Sequence, residues 1–532
     1  MIQSRADAPH FDLWTEPWIT LERPGGGRER LGIEQTLLRA HEFRAIYEPS
    51  PLAVVGTHRL LTAILQAAVD PQKAADLRRL WAAGRFSEDR VRAFGLHFGV
   101  RFDLFSSDAP FLQSADLALQ PAKGELVKTA AYLFLETPSG SSITHYRHGS
   151  EETQVFCPVC AAAGLVTMPA FATSGGAGIK PSINGVPPIY VVPGGRTLFE
   201  SLAASLLLPK NLPEVASHDV DKAWWSREPL VGHGQEVLEV GYLHSLTFPA
   251  RRVRLHPGEL GAPCTRCGQV SHWGVRTMVF DMGESRPKDA PIWFDPFAAY
   301  ILPDDTSGKG PRPVRPIAGH ALWREFGALF LPHSGGGGKA ANTRRPGVLY
   351  QLANEDLGIP WEDYPFRCVG VRTDMKAKVF EWVDAGFEVP CRLLSNERAG
   401  DTVQEATSFA TDCMAVLRGA FRAASTETRK GERHHGLAQR MIDDYWTALA
   451  GPFRGFVAGL SLLSPEQFET QARLWAQSVV REAQRAFVRA ISALGDDAEN
   501  LRRQVQGERI CRYRLRVLTQ KRYPLHEEEV ND

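Results

Sequence analysis

The spacing of hydrophobic positions changes along this chain and separates two kinds of structure. In the first part, short apolar runs such as 190–192 and 275–280 alternate with turns rich in glycine and proline, which is typical of strands joined by loops. Apolar residues on one face predict helices over 58–69 and 198–208. This mixture predicts a large, irregular α+β body with long loops.

From about residue 400 the apolar positions keep a helical spacing over long stretches. They repeat every four residues in two successive segments, at Phe409, Cys413, Leu417 and Phe421 and then at Leu437, Met441, Tyr445 and Leu449. A third segment opens with Ser464, a proline and a glutamine, which suit a helix start, and it stops at Gly495. Its apolar positions include Leu474, Phe487 and Ile491.

A fourth helical segment follows Asp497 and carries Leu501, Val505 and Ile510. Four amphipathic helices with short joints predict an antiparallel four-helix bundle. We therefore divide the chain into an α+β body at 1–385 and a C-terminal four-helix bundle at 386–532.

The composition is that of an ordinary soluble globular protein, with 43% hydrophobic and 23% charged residues. The sequence contains no run of about 18 apolar residues and no apolar core near its start, so we expect neither a membrane span nor export, and we place the protein in the cytoplasm. The 61 basic and 61 acidic residues balance. This balance argues against a free-standing, strongly basic DNA-binding protein.

Four of the eight cysteines fall in two tight pairs, Cys157 with Cys160 and Cys264 with Cys267. Each pair places two thiolates on one turn, and Gly268 lets the second turn close. Together they supply the four soft ligands of a closed tetrahedral site, which predicts a structural zinc ion (Zn) with no open position for water. Because 103 residues separate the pairs, the metal would join distant segments. The alternative is that these cysteines are free or redox-active.

Short segments spread along the chain resemble, in their order and spacing, those of one known family. They are FDLWTEPWI at 11–19, LGIEQTL at 31–37, APFLQ at 109–113, the two cysteine pairs, WFDP at 293–296, and Tyr445 with Trp446. The combination resembles the CasA family, the large subunit of the type I-E CRISPR Cascade surveillance complex. Each segment alone is short, but the resemblance spans almost the whole chain.

The resemblance implies a non-catalytic subunit, not an enzyme, of an RNA-guided antiviral defence complex. In such complexes pairing with the guide RNA reads the target, while protein reads a short adjacent motif, the PAM, on the target double-stranded DNA. The family also implies that the chain helps to open the duplex, positions the displaced strand and presents a docking surface for a recruited helicase–nuclease. Its other partners would be the remaining Cascade subunits.

Two loops carry the nucleic-acid contacts that the resemblance implies most clearly. The loop before the first cysteine pair reads His145, Tyr146, Arg147 and His148. An aromatic ring flanked by basic groups suits base stacking and phosphate contact. The family's glycine loop, which approaches the PAM minor groove with its backbone, corresponds to Gly175, Gly176 and Gly178. The alternatives are an ordinary polar loop and a flexible turn.

Two further contacts match the family less closely. Its basic finger corresponds to Arg286 or Lys288, with a solvated surface charge as the alternative. Its glutamine wedge has no glutamine counterpart here, because the stretch 370–378 places Met375 or Lys376 at that position. An apolar methionine can unstack a base step, but the departure leaves the wedge chemistry and the PAM preference open.

A rival function from another class is a stand-alone zinc-dependent hydrolase or nuclease. It requires an open metal site with histidine or carboxylate ligands, so finding all four paired cysteines together would count against it. A third interpretation is a purely structural scaffold, for which charge reversal at Arg147 or Arg286 would leave DNA binding intact.

Overall fold

The computed structural model describes residues 9–117, 127–135, 154–174, 179–215, 220–287, 289–291, 293–303, 310–317, 319–333, 342–373, 379–425, 432–495 and 497–524. The chain divides into two compact units, one formed by Met1–Pro316 with Arg345–Val389 and the other by Ile317–Arg344 with Pro390–Asp532. The division at 385 and 386 stays a prediction, and the compact units differ from it chiefly by the segment Ile317–Arg344.

Helices and strands are mixed along the first unit, as predicted. Over the described residues of both units, the helices in chain order are α1 (Ile33–Leu38), α2 (Pro51–Val69), α3 (Ala74–Ala83), α4 (Glu88–Phe98), α5 (Pro158–Leu165), α6 (Met168–Phe171), α7 (Leu198–Ala204), α8 (Tyr242–Leu246), α9 (Phe326–Phe330), α10 (Gly347–Asn354), α11 (Glu397–Ala424), α12 (Glu432–Leu462), α13 (Phe468–Ser492) and α14 (Ala498–Arg522). The strands are β1 (Ile19–Glu22), β2 (Arg28–Leu31), β3 (Ala45–Ile46), β4 (Val127–Thr129), β5 (Tyr190–Pro193), β6 (Gln235–Glu236), β7 (Arg251–Glu259), β8 (Trp273–Met282), β9 (Glu284–Ser285), β10 (Tyr300–Leu302), β11 (Arg312–Pro313), β12 (Asn342–Arg344), β13 (Asp363–Thr373) and β14 (Val379–Pro390).

Helix α2 forms the centre of the first unit and is buried along most of its length. The sequence pattern located only its second part, whereas the helix begins at Pro51, because proline suits the first helical position and Ser50 precedes it in an extended conformation. By length and hydropathy α2 could cross a membrane, but 83% of the relevant window is buried inside the protein. It is therefore a core helix, and the cytoplasmic location stays a prediction.

A buried ion pair ties α2 to the segment before β10. The Arg59 Nη2 atom lies 3.3 Å from Asp295 Oδ2, and both side chains are almost completely buried. Arg59 also donates a hydrogen bond to the Ser245 carbonyl oxygen at 3.2 Å. Its guanidinium group lies over the Tyr190 ring, 4.9 Å from the centroid. The two charges compensate each other away from water, so the core depends on both.

The antiparallel pair β7 and β8 positions the second cysteine pair. The register runs from Arg251 opposite Met282 to Glu259 opposite Trp273, and β4 pairs with the other side of β8. The connection 260–272 between β7 and β8 carries Cys264 and Cys267. The second pair therefore lies in the loop of a hairpin anchored in a three-stranded sheet of order β4-β8-β7.

The second unit contains the four long helices that the periodicity predicts, α11 to α14. The repeating residues of α11 are all buried: Phe409, Cys413, Leu417 and Phe421. Ser464 and Gln467 form the predicted capping box before α13, and Gly495 adopts a φ of 115° after it. Asp497 accepts hydrogen bonds from the first backbone N–H groups of α14. The start and stop signals are confirmed.

Three large apolar residues that the pattern assigned to the inner helix faces are exposed, namely Leu474 at 52%, Leu501 at 47% and Val505 at 70%. Helix α14 instead buries Gly507, Cys511 and Leu515. A Cβ atom on Gly507 would lie 2.5 Å from the Cβ of Ala424 in α11. The two helices therefore approach through small residues, which a search for large apolar side chains does not find.

The segment Ile317–Arg344 belongs to the helical unit through the packing of Trp323. Its ring centroid lies 4.7 Å from that of Phe453, 5.8 Å from that of Trp446 and 6.1 Å from that of Trp475. Aromatic rings of this size bury much of the surface that holds such a unit together. The sequence pattern missed this segment because it carries no long helical repeat.

Candidate metal centre

The sulfur atoms of Cys157, Cys160, Cys264 and Cys267 all lie within 4.8 Å of one another. Cys157 and Cys267 are 110 residues apart in the sequence, yet their Sγ atoms are separated by 3.6 Å. Zinc–sulfur bonds of about 2.3 Å in a tetrahedron put neighbouring sulfurs about 3.8 Å apart. The predicted convergence of the two pairs is confirmed, and the donor set fits a tetrahedral metal ion.

The first pair lies at the start of α5. Cys157 precedes the helix as its N-cap residue, Pro158 takes the first position, and Cys160 lies in the first turn. The positive end of the helix dipole favours thiolates there. Phe156 exchanges two backbone hydrogen bonds with Val275 of β8, at 2.9 and 2.8 Å. Strand β8 therefore holds the first pair in place.

The second pair lies on a tight turn that glycine completes. The Cys264 N–H donates to the Gln269 carbonyl oxygen, and the Gly268 N–H donates to the Cys264 carbonyl oxygen, both at 2.8 Å. Gly268 has a φ of 72°, in the left-handed region that side chains disfavour. The role expected of Gly268 in closing this turn is confirmed.

Backbone contacts also align the two pairs with each other. The Val155 N–H donates to Thr265 Oγ1 at 2.9 Å, and the Thr265 N–H donates to the Val155 carbonyl oxygen at 2.8 Å. Val155 lies two positions before Cys157, and Thr265 lies within the second pair. The four sulfurs are thus brought together by the fold itself.

Hydrogen bonds among the sulfurs shift the pKa values of Cys160 and Cys264 in opposite directions. Hydrogen bonds to Cys157 and Cys264, followed by burial, raise the pKa of Cys160. Hydrogen bonds from Cys157 and Cys160 lower the pKa of Cys264. Metal binding requires deprotonated thiolates, so a divalent cation at this site binds in competition with protons.

A basic side chain contacts this cluster. Arg266 lies between Cys264 and Cys267, and its Nη1 atom is 3.9 Å from Cys160 Sγ. Arg266 also forms an ion pair with Glu48. The sequence signal for this contact is a basic residue inside a CxxC turn, which is too common to predict the role by itself. In the part of the chain that the structure describes, these four cysteines form the one group of three or more potential metal ligands.

Most residues that the resemblance assigned to nucleic acid lie outside the described residues, namely His145, Tyr146, Arg147, His148, Gly175, Gly176, Gly178, Lys288, Met375 and Lys376. These assignments stay predictions. The ends of their segments are described in part: β13 and β14 flank 374–378, and the Ser182 N–H donates to the Ala172 carbonyl oxygen across 175–178 at 2.8 Å.

Arg286 lies within the described residues, directly after β9. Its Nη2 atom donates to the carbonyl oxygens of Leu238, at 3.1 Å, and Pro291. Burial lowers the pKa of Arg286. The guanidinium group thus rests against backbone of the same unit, and its assignment as the basic finger stays a prediction.

The fold of the chain matches solved structures over almost its whole length. The crystal structure of CRISPR-associated protein Cse1 from Acidimicrobium ferrooxidans matches with a TM-score of 0.75 and 23% identity, over 97% of this chain and 99% of that one. A chain of a CRISPR RNA-guided surveillance complex matches with a TM-score of 0.71 and 20% identity, over 94% of this chain and 99% of that one. At these identities the likeness defines the fold.

Sequence comparison defines the family. The profile of CRISPR-associated protein Cse1 matches residues 12–486. The CRISPR-associated protein CasA/Cse1 of Thermus thermophilus is 30% identical over 528 residues, covering 94% of this chain and 96% of that protein. This chain belongs to the CRISPR-associated protein Cse1 family, also called CasA, as the sequence motifs predicted.

Proposed function

We propose that this chain is the subunit of an RNA-guided CRISPR surveillance complex that recognises the PAM, and that it is not itself an enzyme. The observation that carries the proposal is membership of the Cse1 family across nearly the whole chain. The match to a chain of a surveillance complex supports assembly with guide RNA and other Cascade subunits. The balanced net charge fits a subunit that shares its DNA affinity with neighbours.

The four-cysteine site holds a zinc ion in this proposal, and its role is structural. Four thiolates at tetrahedral spacing suit zinc. Bound there, zinc would supply a closed cross-link between the start of α5 and the β7–β8 loop. Since all four ligands are sulfur, no position remains for a reacting water. This argues against the rival function of a zinc-dependent hydrolase or nuclease.

The long helices form an antiparallel four-helix bundle in this proposal. Helix α11 contacts the other three: the Tyr445 hydroxyl of α12 donates to the Ala410 carbonyl oxygen at 2.8 Å, and Trp475 Nε1 of α13 donates to the Ala406 carbonyl oxygen at 3.0 Å. Gly507 of α14 lies against the same helix. Short connections between successive helices favour antiparallel neighbours.

The proposed DNA contacts divide by chemistry. The loop of His145, Tyr146, Arg147 and His148 stacks on bases and contacts phosphates, while the backbone of Gly175, Gly176 and Gly178 approaches the PAM groove. Met375 or Lys376 takes the wedge position that helps to open the duplex. Arg286 or Lys288 is the basic finger. The chain then positions the displaced strand and the recruited helicase–nuclease.

A comparison of assembled complexes tests this proposal. The complex is prepared with and without this chain, and each preparation is offered a duplex library randomised beside the target, at one fixed salt concentration. With the chain present, we expect one adjacent motif to be enriched, since a mismatched base pair costs about 1–3 kcal/mol, or about 5- to 150-fold in affinity. Equal enrichment in both preparations would contradict the proposal.

Charge reversal in the same assay separates a DNA reader from a scaffold. The variants R147E and R286E, each shown to be present in the assembled complex, place a negative charge where the proposal expects a phosphate. For a DNA reader we expect weaker duplex binding in at least one of them. For a scaffold both variants would bind the duplex as the unmodified complex does.

A further inference from the structure

We infer that Arg266 is a positioning residue of the four-thiolate centre, where it compensates the charge of the sulfurs and fixes Cys160. The inference rests on the proposed metal. It arises from one contact between the two cysteine pairs. Arg266 lies in the turn of the second pair, and its Nη1 atom is 3.9 Å from the Sγ atom of Cys160 in the first pair.

The charge balance of the site gives this contact its importance. Four thiolates around one divalent cation leave two negative charges in excess. Cys157, Cys160 and Cys264 are buried, with 2% exposure or less, and excess charge is costly in such surroundings unless a nearby group offsets it. Among the described residues, Arg266 is the one cationic side chain within hydrogen-bonding distance of the four sulfurs. Its charge therefore favours the metal-bound form.

Arg266 is itself held in place. Its ion pair with Glu48 is largely buried, with side-chain exposures of 18% and 19%. The guanidinium lies over the Phe134 ring, 5.1 Å from the centroid. An arginine guanidinium stays charged in proteins, and these two contacts leave the side chain little freedom to move away from the sulfur.

Arg266 also connects the two cysteine pairs. Arg266 lies in the turn that supplies Cys264 and Cys267, yet it contacts Cys160 at the start of α5. A planar guanidinium fork can hold a carboxylate and a sulfur at the same time, which the point charge of a lysine ammonium does less well. Arg266 therefore aligns the second turn on the first, together with the metal.

Metal binding by the full-length chain tests the inference, with R266Q and R266K as variants. Cobalt(II) serves as the probe, because its absorption bands report four-sulfur tetrahedral coordination, and zinc affinity is measured by competition with a chelator. We expect R266Q to bind metal about 10- to 100-fold more weakly than the unmodified chain, as substitutions around a metal site do. We expect R266K to recover part of this loss, and the four-sulfur spectrum to persist in both variants.

The variant R30Q is the matched control. Arg30 Nη1 donates to Gln269 Oε1 at 2.6 Å, so this cation borders the same turn, and among the described residues it has no sulfur contact. We expect the metal affinity of R30Q to change less than twofold.

Equal metal affinity of R266Q and the unmodified chain would overturn the inference. If R266Q does not fold, the metal affinity of R266K is the test. A metal affinity of R266K equal to that of R30Q would then overturn the inference. An unmodified chain without the four-sulfur spectrum would instead overturn the proposed metal site.

Discussion

The buried charges of the first unit make single substitutions informative at the residue scale. Arg59 and Asp295 are 2% and 0% exposed in their side chains and face each other with two contacts of 3.3 Å. Asp295 also accepts hydrogen bonds from the Asn184 side chain and the Phe297 backbone. A charge left alone in this position would lose its partner without regaining water.

We therefore expect Arg59→Met to lower the free energy of unfolding of the first unit by about 3–5 kcal/mol, because it leaves the Asp295 carboxylate unpaired. Chemical denaturation followed by tryptophan fluorescence measures the change. The matched control is Arg78→Met, which removes an exposed pair with Asp356 and should cost no more than about 1 kcal/mol. Equal losses in the two variants would show that the buried pair contributes no more than a surface pair.

Sequence reasoning reached some of these residues and missed others for a physical reason. The four cysteines are found because two ligands lie three positions apart on each turn, so half of the site is local. The partners of Arg59 and Arg266 are not local: Asp295 and Glu48 come from distant parts of the chain. Nothing in their immediate sequence marks them as partners.

Helix ends are the features that the sequence predicted best at the element scale. Capping uses residues within three or four positions of each other, as in the box formed by Ser464 and Gln467. The faces of helices were predicted less well. Helix α14 packs through Gly507 and Cys511, because a close approach to α11 requires small side chains, and the apolar pattern favoured the exposed Val505.

The cap of α11 offers a test at this scale. Asn396 Oδ1 accepts a hydrogen bond from the Ala399 N–H at 3.0 Å and begins a helix of 28 residues. We expect Asn396→Ala to destabilise the helical unit by about 1 kcal/mol. Asn396→Asp keeps an acceptor and adds a charge that the helix dipole favours, so its stability should equal or exceed that of the unmodified chain. Thermal unfolding followed by circular dichroism measures both, and equal losses would contradict the assigned cap.

The metal centre matters most at the scale of the whole molecule, because it closes a long loop of the chain. Cys157 and Cys267 lie 110 residues apart and converge at 3.6 Å. The segment 136–153 ends just before the first cysteine pair. Helix α5 begins at that pair, α6 follows it, and the glycine segment 175–178 comes after α6. Both proposed DNA-contacting segments are therefore attached to elements that the centre would fix.

The sequence could predict that the two cysteine pairs meet, since soft ligands at this spacing favour one closed site. It could not predict how the fold aligns the two pairs, because the hydrogen bonds between Val155 and Thr265 depend on the hairpin of β7 and β8. The family assignment came from short motifs in a fixed order along the chain.

X-ray absorption at the zinc edge of the purified full-length chain tests the central claim most directly. The account predicts one zinc ion per chain, with four sulfur ligands at about 2.3 Å and no oxygen or nitrogen ligand. Fewer than four sulfurs, or a light-atom ligand in the first coordination sphere, would contradict a closed structural site and would reopen the case for a catalytic metal.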